Sequence, residues 1–250
     1  MTLNRKYFWF ILLLWLFYPW HFTHAQQKEV TNEFAVWKGF FLNTRIAARN
    51  SIFTDLHHIS GSFAVARAGL TQHLPHGVDV TAGYARLWLT VPGSGSDALD
   101  RNEHRPWMQV AVLGKIGSNI NLGTRIRYDL RFRQRVEAAE LLPKYDLTHR
   151  VRLQETLRLN FPGFKTEWML PYLVLSNEIL LNFGENVSYN TFDQNRLSLM
   201  LGLEHNFLRL QTGYMHRFVQ SASVPNRYTN NHNLTVWLFY TLDIRKKTKE

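Results

Sequence analysis

Between Asn119 and Arg133 the chain alternates without a break. Ile120, Leu122, Thr124, Ile126, Tyr128, Leu130 and Phe132 take one parity, while Asn121, Gly123, Arg125, Arg127, Asp129, Arg131 and Arg133 take the other. Successive side chains leave opposite faces of a pleat, so period two predicts a β-strand. At fifteen residues it far exceeds the roughly 5–6 usual in soluble domains. One face suits hydrocarbon and the other is crowded with charge. A soluble sandwich also alternates, so one strand leaves both architectures open. A series of such strands behind an export signal favours a membrane barrel.

Residues 1–25 read as that signal peptide. Arg5 and Lys6 precede an apolar run from Tyr7 to Phe22, and Thr23-His24-Ala25 offers a cleavage site before Gln26. An uncleaved anchor is the alternative, but the run falls short of the roughly 20 residues of a spanning helix. Residues 26–250 then form one domain ending in a basic tail, residues 245–250. Losing Arg5 and Lys6 lowers the net charge from +10 to +8. A basic chain in the cytoplasm would suggest nucleic acid. An exported one meets the anionic lipid of a Gram-negative outer membrane instead, lipopolysaccharide included, and that membrane is the expected localisation. The barrel-assembly machinery is then the expected partner in biogenesis. With no cysteine, an exported domain needs a core or a closed hydrogen-bond network, which suits a barrel.

Strand-like runs recur at Asn32–Leu42, Arg45–Phe53, Ser60–Thr71, Val78–Val91, Arg105–Ile116, Asn119–Arg133, His149–Phe161, Glu167–Phe183, Gln194–His205, Leu208–Gln220 and His232–Ile244. Bacterial single-chain barrels take even numbers with both termini in the periplasm. The expectation is therefore an all-β, antiparallel transmembrane barrel of ten or twelve strands. Ten follows if residues 32–53 form one bent strand, and twelve if a short strand is hidden in Gln134–Thr148 or in the first segment. A turn at Asn43-Thr44 favours twelve. Val136–Leu142 has a short helical pattern, read as part of a loop. Gly117-Ser118 and the turn near Asn206-Phe207 read as short periplasmic turns. Pro92–His104, Gln134–Thr148, Gly184–Asp193 and Ser221–Asn231 read as longer outer loops. Tyr84, Trp88, Trp107, Phe132, Phe161, Trp168, Phe183, Phe218, Trp237 and Tyr240 are expected in interfacial girdles.

Parity sends Arg125, Arg127, Asp129, Arg131, Arg150, Arg152, Arg158, Glu178, Arg196 and Glu204 into the lumen, because arginine at the lipid midplane costs about 2–4 kcal/mol. Glu155 shares the leucine parity, and a local bulge would turn it inward. Glu178, Arg196, Arg150, Arg152 and Arg127 are expected to form one network. Two roles stay open: a packed, carboxylate-paired structural interior, or a narrow anion-preferring pore or pocket for a small anionic solute. A lipid-modifying enzyme would need a serine–histidine pair at the lipid face. The candidates for it are His104, His149 and His216 with Ser176 and Ser198, and no His-x-Ser-Asn stretch occurs. His57-His58, His73 and His76 read as loop residues. No catalytic residue, metal or cofactor is expected, and a periplasmic β-sandwich binding protein is the remaining alternative.

The order of several motifs resembles an outer-membrane β-barrel family of unknown function, family 2490 of the domains of unknown function. The motifs are Glu103-His104-Arg105, Arg125-x-Arg127, His149-Arg150-x-Arg152-x-x-Glu155, Asn177-Glu178, Asp193-Gln194-Asn195-Arg196, Gly213-Tyr214 and the closing His232–Leu242 run. The likeness extends from roughly Phe63 onward. It implies a barrel in the outer membrane and, since the family has no assigned activity, no catalytic residue. The basic tail departs from the terminal aromatic that such barrels present.

Overall fold

The computed structural model describes residues 28–93 and 98–245. The expected signal peptide and residues 246–250 of the tail lie outside them. Eleven strands follow one another: β1 (Glu29–Ala47), β2 (Asn50–Ile59), β3 (Phe63–Leu74), β4 (Val78–Pro92), β5 (Ala98–Ile116), β6 (Ile120–Glu137), β7 (Glu140–Asn160), β8 (Leu170–Phe183), β9 (Phe192–His205), β10 (Leu208–Gln220) and β11 (Arg227–Asp243). They close into one barrel in which each strand pairs antiparallel with its sequence neighbours. The exception is the seam, where β1 and β11 run parallel from Glu29↔Arg227 to Arg45↔Asp243.

The strand number corrects the expectation of ten or twelve. An odd ring can close only by placing its first and last strands parallel, so the two ends of the described barrel lie at opposite rims and not together. The turn expected at Asn43-Thr44 is likewise absent. Asn43 is paired with Thr241 on one side and Phe53 on the other, so two ladders override its turn propensity. The chain reverses at Ala48-Arg49 instead.

The long outer loop expected at Gln134–Thr148 is a hairpin. β6 and β7 pair out to Glu137↔Glu140, which leaves Ala138 and Ala139 at the tip with φ of 48° and 61°. Two successive left-handed residues match the twist of the flanking strands, so the short helical pattern of Val136–Leu142 gives way to strand.

The polarity of the barrel is inverted relative to a soluble one. Met108, Val110, Ile126, Leu153, Leu181, Leu199, Leu201 and Leu234 are exposed on the outer wall. Glu103, Arg127, Asp129, Arg150, Arg152 and Glu178 are buried inside. Parity assigns nearly every face correctly. Trp107 and Trp237, grouped with the interfacial aromatics above, point inward. Glu155 also departs from expectation: its register (Thr124↔Glu155↔Asn177) runs without a bulge, so it stays on the outer face. Thr124 Oγ1 donates to its carboxylate at 2.7 Å, and Asn195 donates to Asn177 beside it, also at 2.7 Å. These hydrogen bonds supply what a bulge was expected to provide.

Candidate functional site

Every charged residue assigned to the lumen by parity lies on the inner wall, and all but Arg127 and Arg150 fall into three groups. The most enclosed group centres on Glu103 of β5, which has no exposed surface. Arg131 reaches its carboxylate through Nε at 2.7 Å and Nη2 at 3.0 Å, Arg133 at 3.0 Å, and Arg105 through Nε at 2.9 Å. A second group holds Glu178 of β8 between Arg125 (2.8 Å), Arg196 (3.0 Å) and Arg152 (3.8 Å), and Arg152 in turn donates to Asp129 at 2.8 Å. A third pairs Arg158 with Glu204 at 2.6 Å.

The five-residue network is therefore only partly assembled. Glu178, Arg152 and Arg196 meet. Arg150 instead contacts Asp193 at 2.9 Å and Asn182 at 2.8 Å. Arg127 donates twice to Gln109, at 2.9 and 2.6 Å, and its guanidinium lies 4.2 Å from the Trp107 ring centre. That ring has room because Gly69 and Gly83 face it across the adjacent strands: a Cβ on either would come within 3.0 Å of the indole. Two glycines thus clear a seat for Trp107, which supports a cation that makes no direct ion pair among the described residues.

Sequence reasoning missed Glu103 as a hub, and also the Asp55–Arg67 pair, closed at 2.7 Å. The signal for Glu103 was present, since Glu103 and Arg105 share inward parity with Arg101 and Trp107. Asp55 falls just past the Arg45–Phe53 run, beside His57 and His58, which read as loop residues from sequence alone. They lie in β2, where Trp37 Nε1 donates to His57 Nδ1 at 3.2 Å.

His73 is also in a strand. Its Nε2 meets Ser51 Oγ at 2.9 Å and its Nδ1 meets Asp79 at 2.7 Å, across β2, β3 and β4. The order of contacts is that of a hydrolase trio. Ser51, however, has no exposed surface and does not line the lumen cavity, so a substrate has no approach to its hydroxyl. We read the trio as a stitch between strands. Ser51→Ala is expected to lower stability by about 1–3 kcal/mol, and a fluorophosphonate probe should leave Ser51 unmodified; labelling there would overturn that reading. The enzyme candidates named from sequence are engaged elsewhere. His149 meets Tyr128 at 2.5 Å, His104 meets Tyr84, His216 meets Asn230 at 3.1 Å, and Ser176 pairs with Ser198 at 2.6 Å. Among the described residues no group of three His, Cys, Asp or Glu could hold a metal ion.

The charged groups surround a cavity of about 1220 Å³. Its lining reaches Ser62, Thr90 and Arg133 towards one rim and Gly77, Lys115 and Asn160 towards the other. Among the described residues, twelve arginines and Lys115 line it, against three carboxylates: Glu178, Asp193 and Glu204. Asp55, Glu103 and Asp129 are buried and do not line it, and counting them still leaves a large cationic excess. Confined within low-dielectric walls, such an excess creates a positive potential.

No curated protein and no solved structure matches the chain. A family model does, over residues 34–230, and the match begins well before the Phe63 suggested by the motifs. With most of its length covered by that model, the chain belongs to the family described as Protein of unknown function (DUF2490).

Proposed function

We propose that this protein is an outer-membrane barrel whose arginine-lined lumen forms a narrow, anion-preferring pathway. The cavity that touches residues near both rims carries the reading, because a purely structural filling would leave no such space. Spread over a hydrocarbon thickness of roughly 30 Å, it averages about 40 Å² in section, enough for small solutes only. The apolar outer wall supports a lipid surround, lipopolysaccharide included, since leucines exposed on every second position would be a liability in water. Assembly by the barrel-insertion machinery follows from the same reading.

Single-channel recording of the refolded mature protein in asymmetric salt tests it. Steady openings whose reversal potential favours anions are expected. Glu178→Gln, which deprives Arg125, Arg152 and Arg196 of their shared acid, should raise the anion preference. A folded barrel that never opens, or one that prefers cations, would end the proposal.

A further inference from the structure

The lumen has two unlike walls. In an eleven-stranded ring, β1 and β2 lie half a circuit from β6 and β7. The β6–β7 wall presents Arg125, Arg131, Arg133, Arg150, Arg152 and Arg158 to the cavity. The opposite wall presents Phe239 and Trp237 of β11, Trp37 and Phe41 of β1, Phe63 of β3 and Leu87 of β4, interrupted by His57 of β2 and by Arg67 of β3, which Asp55 pairs. Two buried apolar clusters meet at Phe63. One joins Trp37 and Ile59 to Tyr172, Val174, Met200 and Met215 of β8 to β10. The other holds Val65, Ala85, Leu87 and Trp107, so apolar contact runs from Trp37 through Phe63 to Leu87. A pathway for simple inorganic anions has no use for an aromatic wall, which offers a hydrated ion nothing and costs it solvation.

The walls meet at Trp37. The guanidinium carbons of Arg196 and Arg217 lie 5.1 and 5.3 Å from its ring centre, and both arginines donate through Nε to Gln194 Oε1, at 3.0 and 3.2 Å. Arg196 is paired with Glu178 at 3.0 Å, whereas among the described residues Arg217 makes no direct ion pair and feels Asp193, Glu33 and Glu178 only at longer range. Arg217 also lines a second cavity of about 270 Å³ with Glu33, Phe34, Ala35, Ile59 and Gly61, so it stands between the lumen and one rim. Here a cation with no acid in direct contact, a neighbouring cation and an indole face converge beside the cavity.

We propose that the lumen binds amphipathic organic anions, with the acidic head on Arg217 and Arg196 and the apolar body along the wall from Trp37 to Leu87. The inference rests on the reading of the lumen as solute-accessible and specifies what enters it. Affinity arises from two contributions that neither wall supplies alone: charge-assisted hydrogen bonds to the head and removal of apolar surface from water.

The test uses the mature protein in zwitterionic lipid nanodiscs, titrated calorimetrically, with empty discs as the blank. The probes are octanesulfonate, sulfate and octanol, which carry the head and chain together, the head alone and the chain alone. Octanesulfonate is expected to bind at least tenfold tighter than either of the others. Arg217→Gln, which breaks no direct ion pair, should reduce its affinity to that of octanol. Trp37→Ala should reduce it to that of sulfate, with Trp37→Phe retaining most of it and reporting on folding. If sulfate equals octanesulfonate, charge alone governs the lumen. If octanol equals it, the signal is partition into an apolar surface. Either result overturns the inference, as does the absence of binding. Conductance separates this from the pore reading: anion-selective openings without preferential octanesulfonate binding would sink only the present inference. Binding by a barrel that never opens would sink only the pathway.

Discussion

Glu103→Gln is expected to lower the stability of the folded barrel by about 3–5 kcal/mol, the cost of breaking a buried ion pair from one side. The carboxylate has no exposed surface and receives hydrogen bonds from Arg105, Arg131 and Arg133. A carboxamide keeps the shape but removes the charge, and its NH₂ turns a donor towards guanidinium donors. Three cations then face one another without their acid. Arg133→Gln should cost far less, because Arg133 is partly open to the cavity and its removal leaves two arginines on Glu103. The check is the urea midpoint of tryptophan fluorescence for parent and both variants in one detergent. Equal midpoints for Glu103→Gln and the parent would show that the hub contributes nothing net. A loss as large for Arg133→Gln would show that the charge balance of the whole lumen matters, and not this site.

The strands and their faces were legible because one rule, period two, governs them over long runs. Arg125, Arg127, Arg131 and Arg133 could be placed inside from parity alone, since the neighbouring Ile126 and Leu130 must go the other way. Which cation met which acid was not legible. Arg127 and Arg152 are register partners on neighbouring strands, yet one lies over Trp107 and the other reaches Asp129 and Glu178. Long side chains choose among several partners within reach, and parity fixes only the face. Closure failed for a different reason. Each hairpin is a local event, but the β1–β11 seam joins residues nearly two hundred positions apart, and nothing in either strand marks its neighbour as parallel. The inward placement of Trp107 and Trp237 was missed because inward tryptophans need glycines opposite them, and Gly69, Gly83 and Gly39 become informative only once the register is known.

The same device on the other side of the barrel yields a prediction with a built-in control. Tyr172 on β8 sits directly across from Gly202 on β9, and a Cβ at Gly202 would fall onto the tyrosine ring. The ring lies flat over bare backbone, accepts a hydrogen bond from Gln211 at 3.2 Å and bears the Arg158 guanidinium 3.8 Å from its centre. Gly202→Ala must therefore push the ring into the lumen or distort two strands, at about 1–3 kcal/mol for overpacking. Tyr172→Ala alone removes a buried aromatic and leaves Arg158 without its platform, at about 3–5 kcal/mol. The double variant should cost little more than Tyr172→Ala, because the added methyl then occupies space the ring has left. Cross-strand neighbours that share one space are non-additive in this direction. Additive losses would mean that Gly202 is required for its backbone and not for the ring above it. A Gly202→Ala variant as stable as the parent would mean that Tyr172 has another place to go, and that Arg158 is held by Glu204 rather than by the ring.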